Sequence, residues 1–258
     1  MNRIRQYKSL LPRYGIGGAL TVLIGLLMLT SSTLKPKLID PSYNLPFLNR
    51  PIVKPTEVVM VWMDDDSHRE LAQPYNASWD RALYARLVER FTTEGARAVV
   101  FDILFTDPHP TKPEGDAQFA RAIKANGKVA LGAEFTFTAD GSPTVIRAID
   151  LFFDAAATWG FVQLPADQDF MVRRHLHVPP HPDAENFSSL TWEAAQMLGD
   201  PEAQNPENRF TQRWMNYYGP PETPGKKGSG TIPGVSFRVL SPAFRRSGRP
   251  CAGRGRGQ

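Results

Sequence analysis

Gly95-Ala96-Arg97-Ala98-Val99-Val100-Phe101-Asp102-Ile103-Leu104-Phe105-Thr106-Asp107-Pro108, GARAVVFDILFTDP, decides how the rest of the chain is read. From Ala98 to Phe105 the run is apolar except for one acid. A short β-branched-rich run bounded by turn residues reads as a buried strand. Upstream, Glu57 to Met63 (EVVMVWM) is a second run of this kind. Between the two, Ser78 is a candidate helix N-cap, and Leu83, Leu87, Val88 and Phe91 share one helical face. Gly95 then stands where a helix ends. Strand, helix, strand with short connections makes a βαβ unit with parallel strands.

The pattern repeats downstream. Asp116 caps a helix carrying Phe119, Ala120 and Ile123, Asn126-Gly127 stops it, and Lys128 to Phe135 forms a third strand. Ser188 to Leu198 reads as a helix closed by Gly199, Arg213 to Tyr218 as a strand, and Pro220 to Gly225 as a loop. The expected fold class is α/β: an N-terminal transmembrane helix followed by a mostly parallel sheet with helices on both faces.

Tyr14 to Leu34 carries no charge over 21 residues, about 30 Å as a helix, enough for a hydrocarbon core. Arg3, Arg5, Lys8 and Arg13 precede it, which orients the N-terminus to the cytoplasm and the rest outside. An uncleaved anchor is expected over a signal peptide, since no A-x-A-like cleavage site follows, and over a core helix.

Net charge is +4, but it is unevenly spread. Residues 1–37 hold six Lys or Arg and no acid, and residues 223–258 hold eight and no acid. The middle therefore has 16 basic residues against 26 acids, which argues against a nucleic-acid partner. The single Cys251 excludes an internal disulfide.

Candidate site residues come from carboxylates at strand ends, where open α/β sheets bind ligands. Asp64, Asp65 and Asp66 follow the first strand, with His68 close behind. In an extended segment Asp64, Asp66 and His68 point to one side and could ligate an ion. A plainer reading is a turn capped by aspartates. Asp102, between Phe101 and Ile103, is read as a buried carboxylate needing a partner: Arg81, backbone N–H groups near Ser67, or a ligand. The candidate ligand-binding residues are Asp64, Asp66, Arg81 and Asp102. His175, His177 and His181 lie in a proline-rich stretch and are a weaker metal candidate. No phosphate-binding Gly-rich loop, G-x-S-x-G or H-E-x-x-H motif occurs. A strand followed by Asp-x-Asp resembles haloacid-dehalogenase-type phosphotransferases, but their later motifs cannot be placed.

The ordered set of motifs resembles the type-2 CHASE domain, a cyclase/histidine-kinase-associated sensory extracellular domain. The likeness rests on the strand ending at Asp64, Trp79-Asp80-Arg81, Tyr84-Ala85-Arg86-Leu87, GARAVVFDILFTDP, Asp116 with Phe119-Ala120, and KVALGAEF. Gly160-Phe161-Val162, Asp167-Gln168-Asp169 with Arg173-Arg174, the stretch Trp214 to Pro221, and Gly230 to Pro233 follow in order, over about Ile39 to Phe237. Phe170 stands where the family's Asp-x-Asp-Gly pattern has Gly, Glu222 to Ser229 looks inserted, and the chain departs after Phe237.

The resemblance implies a membrane-anchored extracytoplasmic sensor of a bacterial receptor whose output is a cyclase or kinase. The expected organisation is a cytoplasmic basic segment (1–13), a membrane helix (14–34), a connecting segment (35–56), the sensor domain (57–237) and a basic, disordered or aberrant tail (238–258). Expected partners are the membrane, an unknown small ligand and a second copy of the chain; no cofactor, nucleic acid or enzymatic activity is expected. The alternative is a metal-dependent phosphotransferase or hydrolase built on Asp64 and Asp66.

Overall fold

The computed structural model describes residues 3–30, 42–47, 50–167, 169–179, 181, 184–220 and 230–240. The expected insertion at 222–229 and residues 241–258 of the tail lie outside these. The chain divides into two compact units, Met1–Ile52 and Val53–Gln258.

The first unit holds α1 (Arg3–Thr30) and α2 (42–47). α1 starts well before the charge-free segment, because Arg, Gln, Lys and Leu are good helix formers and carry the helix through the basic stretch. Leu20, Val22, Leu23 and Leu26 are exposed along it. Among the described residues no helix is long and apolar enough to cross a membrane. Residues 31–34 of the expected span lie outside the described ones.

The second unit is mixed α/β, with its strands in small sheets rather than one parallel sheet. β1 (Met60–Trp62) pairs in parallel with β8 (Gly234–Ser236), not with β2 (Val99–Phe101). β3 (Val129–Phe137) is the hub of the largest sheet. It pairs in parallel with β2 and with β5 (Thr158–Phe161), and antiparallel with β4 (Pro143–Ile146). β6 (Arg174–His175) and β7 (Arg213–Trp214) form a short antiparallel ladder. The expected strand from Arg213 to Tyr218 is thus reduced to two residues.

The expectation that the first two strands are buried on both faces is also corrected. Val99 and Phe101 are buried while Val100 is exposed, and Met60 and Trp62 of β1 are exposed. The runs contain enough apolar residues to hide a real period-two alternation. β3 does meet the expectation at its start: Val129, Ala130 and Leu131 are all buried.

Among the described residues this unit has six α-helices: α3 (Asp65–Glu70), α4 (Arg81–Thr93), α5 (Pro113–Asn126), α6 (Asp150–Phe153), α7 (Leu190–Met197) and α8 (Pro201–Gln204). α4 is capped by Asp80, whose carboxylate accepts from the Ala82 N–H, not by Ser78. α5 opens on Pro113, whose fixed φ suits a first turn, so Asp116 lies inside the helix rather than at its cap. Gly95 and Gly127 follow α4 and α5 at φ +78° and +67°, the left-handed geometry expected of helix stops. α4 and α5 pack on each other, and α7 packs on β3 and β5. Tyr84 sits centrally in the core, with ring centroids of Phe101, Phe105, Phe119 and Phe237 at 6.0, 5.4, 5.6 and 5.5 Å. Offset and edge-on aromatic pairs of this kind add stability beyond area burial.

Candidate functional site

The acidic run after β1 does not stay extended. A side-chain carboxylate ahead of free backbone N–H groups starts a helix, so Asp64 becomes the N-cap of α3 and Asp66 falls in its first turn. Asp64 Oδ1 accepts from the Ser67 N–H at 2.9 Å, the Ser67 hydroxyl at 2.6 Å and the Ser236 hydroxyl at 2.7 Å. Ser67 is fully buried, and its Oγ accepts from the Arg238 N–H at 3.0 Å. Arg238 Nη1 reaches Glu70 at 2.8 Å and Asp66 at 3.4 Å, while Asp66 also pairs with Arg69. The hydrogen bond from Glu70 leads the causes that raise the Arg238 pKa above its ordinary value. Asp64 and Asp66 therefore clasp the segment 236–238 from two sides.

Arg81 lies elsewhere. It is 4% exposed, and its Nε is 3.7 Å from Asp116 Oδ1, an ion pair without hydrogen-bond geometry. Its guanidinium lies 4.7 Å from the Phe105 ring centroid and 5.8 Å from that of Tyr84. Asp116 Oδ2 accepts from the His109 N–H at 2.8 Å. Burial holds the Arg81 guanidinium below its ordinary value, and burial pushes the Tyr84 hydroxyl up to about 12.

Asp102 is exposed, not buried. The alternation that turns Phe101 inward turns Asp102 out, and its proposed partner Arg81 is engaged with Asp116. Since β1 pairs with β8, Asp64 and Asp102 are not neighbours on adjacent strands of one sheet. The four sequence candidates thus separate into a clasp (Asp64, Asp66), a buried ion pair (Arg81) and an exposed acid (Asp102).

Sequence reasoning missed Asp116 and Ser236 as partners. Asp116 had a signal: an arginine on the apolar face of α4 demands a buried acid. Ser236 had none, because nothing local announces a bond across 172 residues.

A second polar cluster sits in the turn before β6. Arg173, 2% exposed, donates to Asp169 at 2.8 and 2.7 Å and to Asp167 at 3.1 Å, and Arg174 also pairs with Asp167. The Arg173 hydrogen bonds hold Asp169 down at about 2. For Asp167, burial works upward and the Arg174 and Arg173 bonds outweigh it, leaving its pKa low. Phe170 closes this turn at φ +62° with its ring 90% exposed. A non-glycine residue there is strained. Among the described residues no group of three or more His, Cys, Asp or Glu could hold a metal ion.

A family model of the CHASE2 domain matches residues 18–249. The chain belongs to the CHASE2 family. The match begins inside the apolar segment and runs past Phe237, so the family pattern extends further toward the C-terminus than the motifs alone indicated. CHASE2 domains are sensory extracellular domains of signalling receptors, not catalytic ones. Neither the curated proteins nor the solved structures contain a match to this CHASE2 chain.

Proposed function

We propose that this CHASE2 chain is the membrane-anchored, extracytoplasmic input region of a bacterial signalling receptor whose output is a cyclase or a kinase. The family match over residues 18–249 carries this reading. The charge-free stretch from Tyr14 to Leu34, with four basic residues ahead of it, supports an anchor with a cytoplasmic N-terminus. A small ligand shifts the domain between two states by binding one of them better. Within that scheme Asp64, Asp66 and Arg81 are transmission points rather than ligand contacts, since each is already committed to protein groups. Asp102 retains an exposed carboxylate but gains no assigned role. A second copy of the chain is the partner through which such a shift would be read.

Membrane topology tests this. Alkaline phosphatase fused after the last residue should be active in cells, because it matures only outside the cytoplasm. Green fluorescent protein at the same point should stay dark. A fluorescent, phosphatase-silent chain would overturn the proposal. The phosphotransferase alternative finds no support in an Asp64 Oδ1 that already takes three donors.

A further inference from the structure

Phe170 sits where a soluble surface disfavours it on two counts. Its φ of +62° is a left-handed conformation that bulky side chains rarely adopt. Its side chain is 90% exposed, so packing among the described residues does little to offset that strain. Glycine would fit the turn without steric cost. A backbone outlier of this kind points to a task at its position.

The turn that carries Phe170 is well held. The Asp167 N–H donates to the Met171 carbonyl at 2.8 Å, and the Phe170 N–H donates to the Asp167 carbonyl at 2.9 Å. Arg173 grips Asp167 and Asp169 from behind. From this turn a ribbon of neighbours runs along one edge of the domain. The Tyr217 hydroxyl donates to the Val172 carbonyl, and the Met215 N–H donates to the Arg173 carbonyl at 2.7 Å. Trp214 stands opposite Arg174 in the β6–β7 ladder, its ring centroid 5.8 Å from the Arg174 guanidinium. The Val53 N–H donates to the Tyr218 carbonyl at 3.1 Å. Val53, Phe170, Met171, Trp214, Tyr217 and Tyr218 are all exposed. An exposed apolar strip of this kind marks an interaction surface.

Its composition selects the partner. Trp and Tyr combine an apolar ring with a polar tip and gather at the membrane–water interface, while Phe and Met suit the acyl boundary just beneath it. Charge agrees. Arg173 and Arg174 neutralise Asp167 and Asp169, and Lys54 beside Val53 adds an exposed cation, so the strip does not repel anionic headgroups. Val53 is also the first residue of the second unit, where the chain arrives from the charge-free segment. On the input-module reading, that is the end of the domain tethered to the bilayer.

We propose that this strip rests on the membrane surface, with Phe170 and Met171 inserted at the boundary between headgroups and acyl chains. The proposal rests on the input-module reading and gives the domain a second hold on the bilayer besides the anchor.

The test uses the full chain with Cys251→Ser, so that one introduced cysteine carries a nitroxide label. Met171→Cys labels the strip, and Lys124→Cys labels an exposed position on α5. In nanodiscs containing phosphatidylglycerol, the label at 171 should collide more with oxygen than with a water-soluble nickel complex, and the label at 124 should do the reverse. Adding Phe170→Asn should turn the 171 label toward the nickel complex, because asparagine accepts the left-handed turn but not the acyl boundary. In detergent the Phe170→Asn chain should melt no lower than the native chain, which separates lost membrane contact from a lost fold. The proposal fails if the 171 label is as open to the nickel complex as the 124 label, or if Phe170→Asn leaves it unchanged. A 171 label shielded from both reagents and broadened by a second label would overturn it in favour of contact between two copies. Each of these failures, in a chain that the nanodiscs retain, leaves the input-module reading standing. A chain that the nanodiscs do not retain, or a cytoplasmic topology, would sink that reading and this inference with it.

Discussion

Asp64 shows how a single carboxylate can invite one chemistry and serve another. Three acids after a strand suggest metal or phosphate work, yet Oδ1 of the first caps α3 and bonds Ser67 and Ser236. Removing it takes away an N-cap and leaves the buried Ser67 hydroxyl with one acceptor fewer. Asp64→Ala should destabilise the folded chain by about 1–2 kcal/mol, measured by urea unfolding. Asp102→Ala, at an exposed position, should stay within about 0.5 kcal/mol. Equal effects would contradict the separation of the two acids. Local chemistry made Asp64 legible as a cap. Asp102 was misread because a run with apolar residues on both sides looks buried whichever face is covered.

At the scale of elements, the turn from Asp167 to Arg174 is held by charge. Arg173 is buried between two carboxylates and fixes the chain just before β6 meets β7. Asp169 has a folded-state value of about 2, and Asp167 is also lowered. Ordinary carboxylates titrate near 4. Because both folded values lie below the unfolded ones, the stabilisation is present above about pH 4 and is lost as pH falls below it, for Asp169 through about 2. Thermal melts between pH 5 and pH 2 should therefore show a steep loss in the native chain. Arg173→Ala should melt several degrees lower at neutral pH and lose less on acidification. A parallel offset of the two curves would show that the turn is not held this way. The βαβ elements were readable because helix faces, caps and glycine stops are written within a dozen residues. The pairings of β1 with β8 and of β6 with β7 were not, since register between distant segments depends on tertiary packing alone. Gly160 is a similar case. A Cβ there would lie 2.6 Å from the Leu190 backbone nitrogen, so the start of α7 lies directly on β5. Nothing near residue 160 in the sequence signals that approach.

At the scale of the molecule, the second unit is closed by segments far apart in sequence. β8 supplies the partner of β1, and the following 3-10 turn, Phe237–Leu240, places Phe237 and Val239 in the core beside Tyr84 and Trp79. Contacts so far apart in sequence slow folding, because a large loop must close before they form. Refolding from urea, followed by tryptophan fluorescence, should have its main phase at milliseconds to seconds or slower. A main phase of microseconds would contradict it. Asp64 and Ser236 are separated by 172 residues. At roughly 5–20 residues per second on the ribosome, β1 waits about 10–30 s for its partner. Through that interval Met60, Val61 and Trp62 have no strand to pair with. The same delay has a use: a domain that cannot complete its fold until β8 has been made remains threadable until then, the condition for passing through a translocation channel.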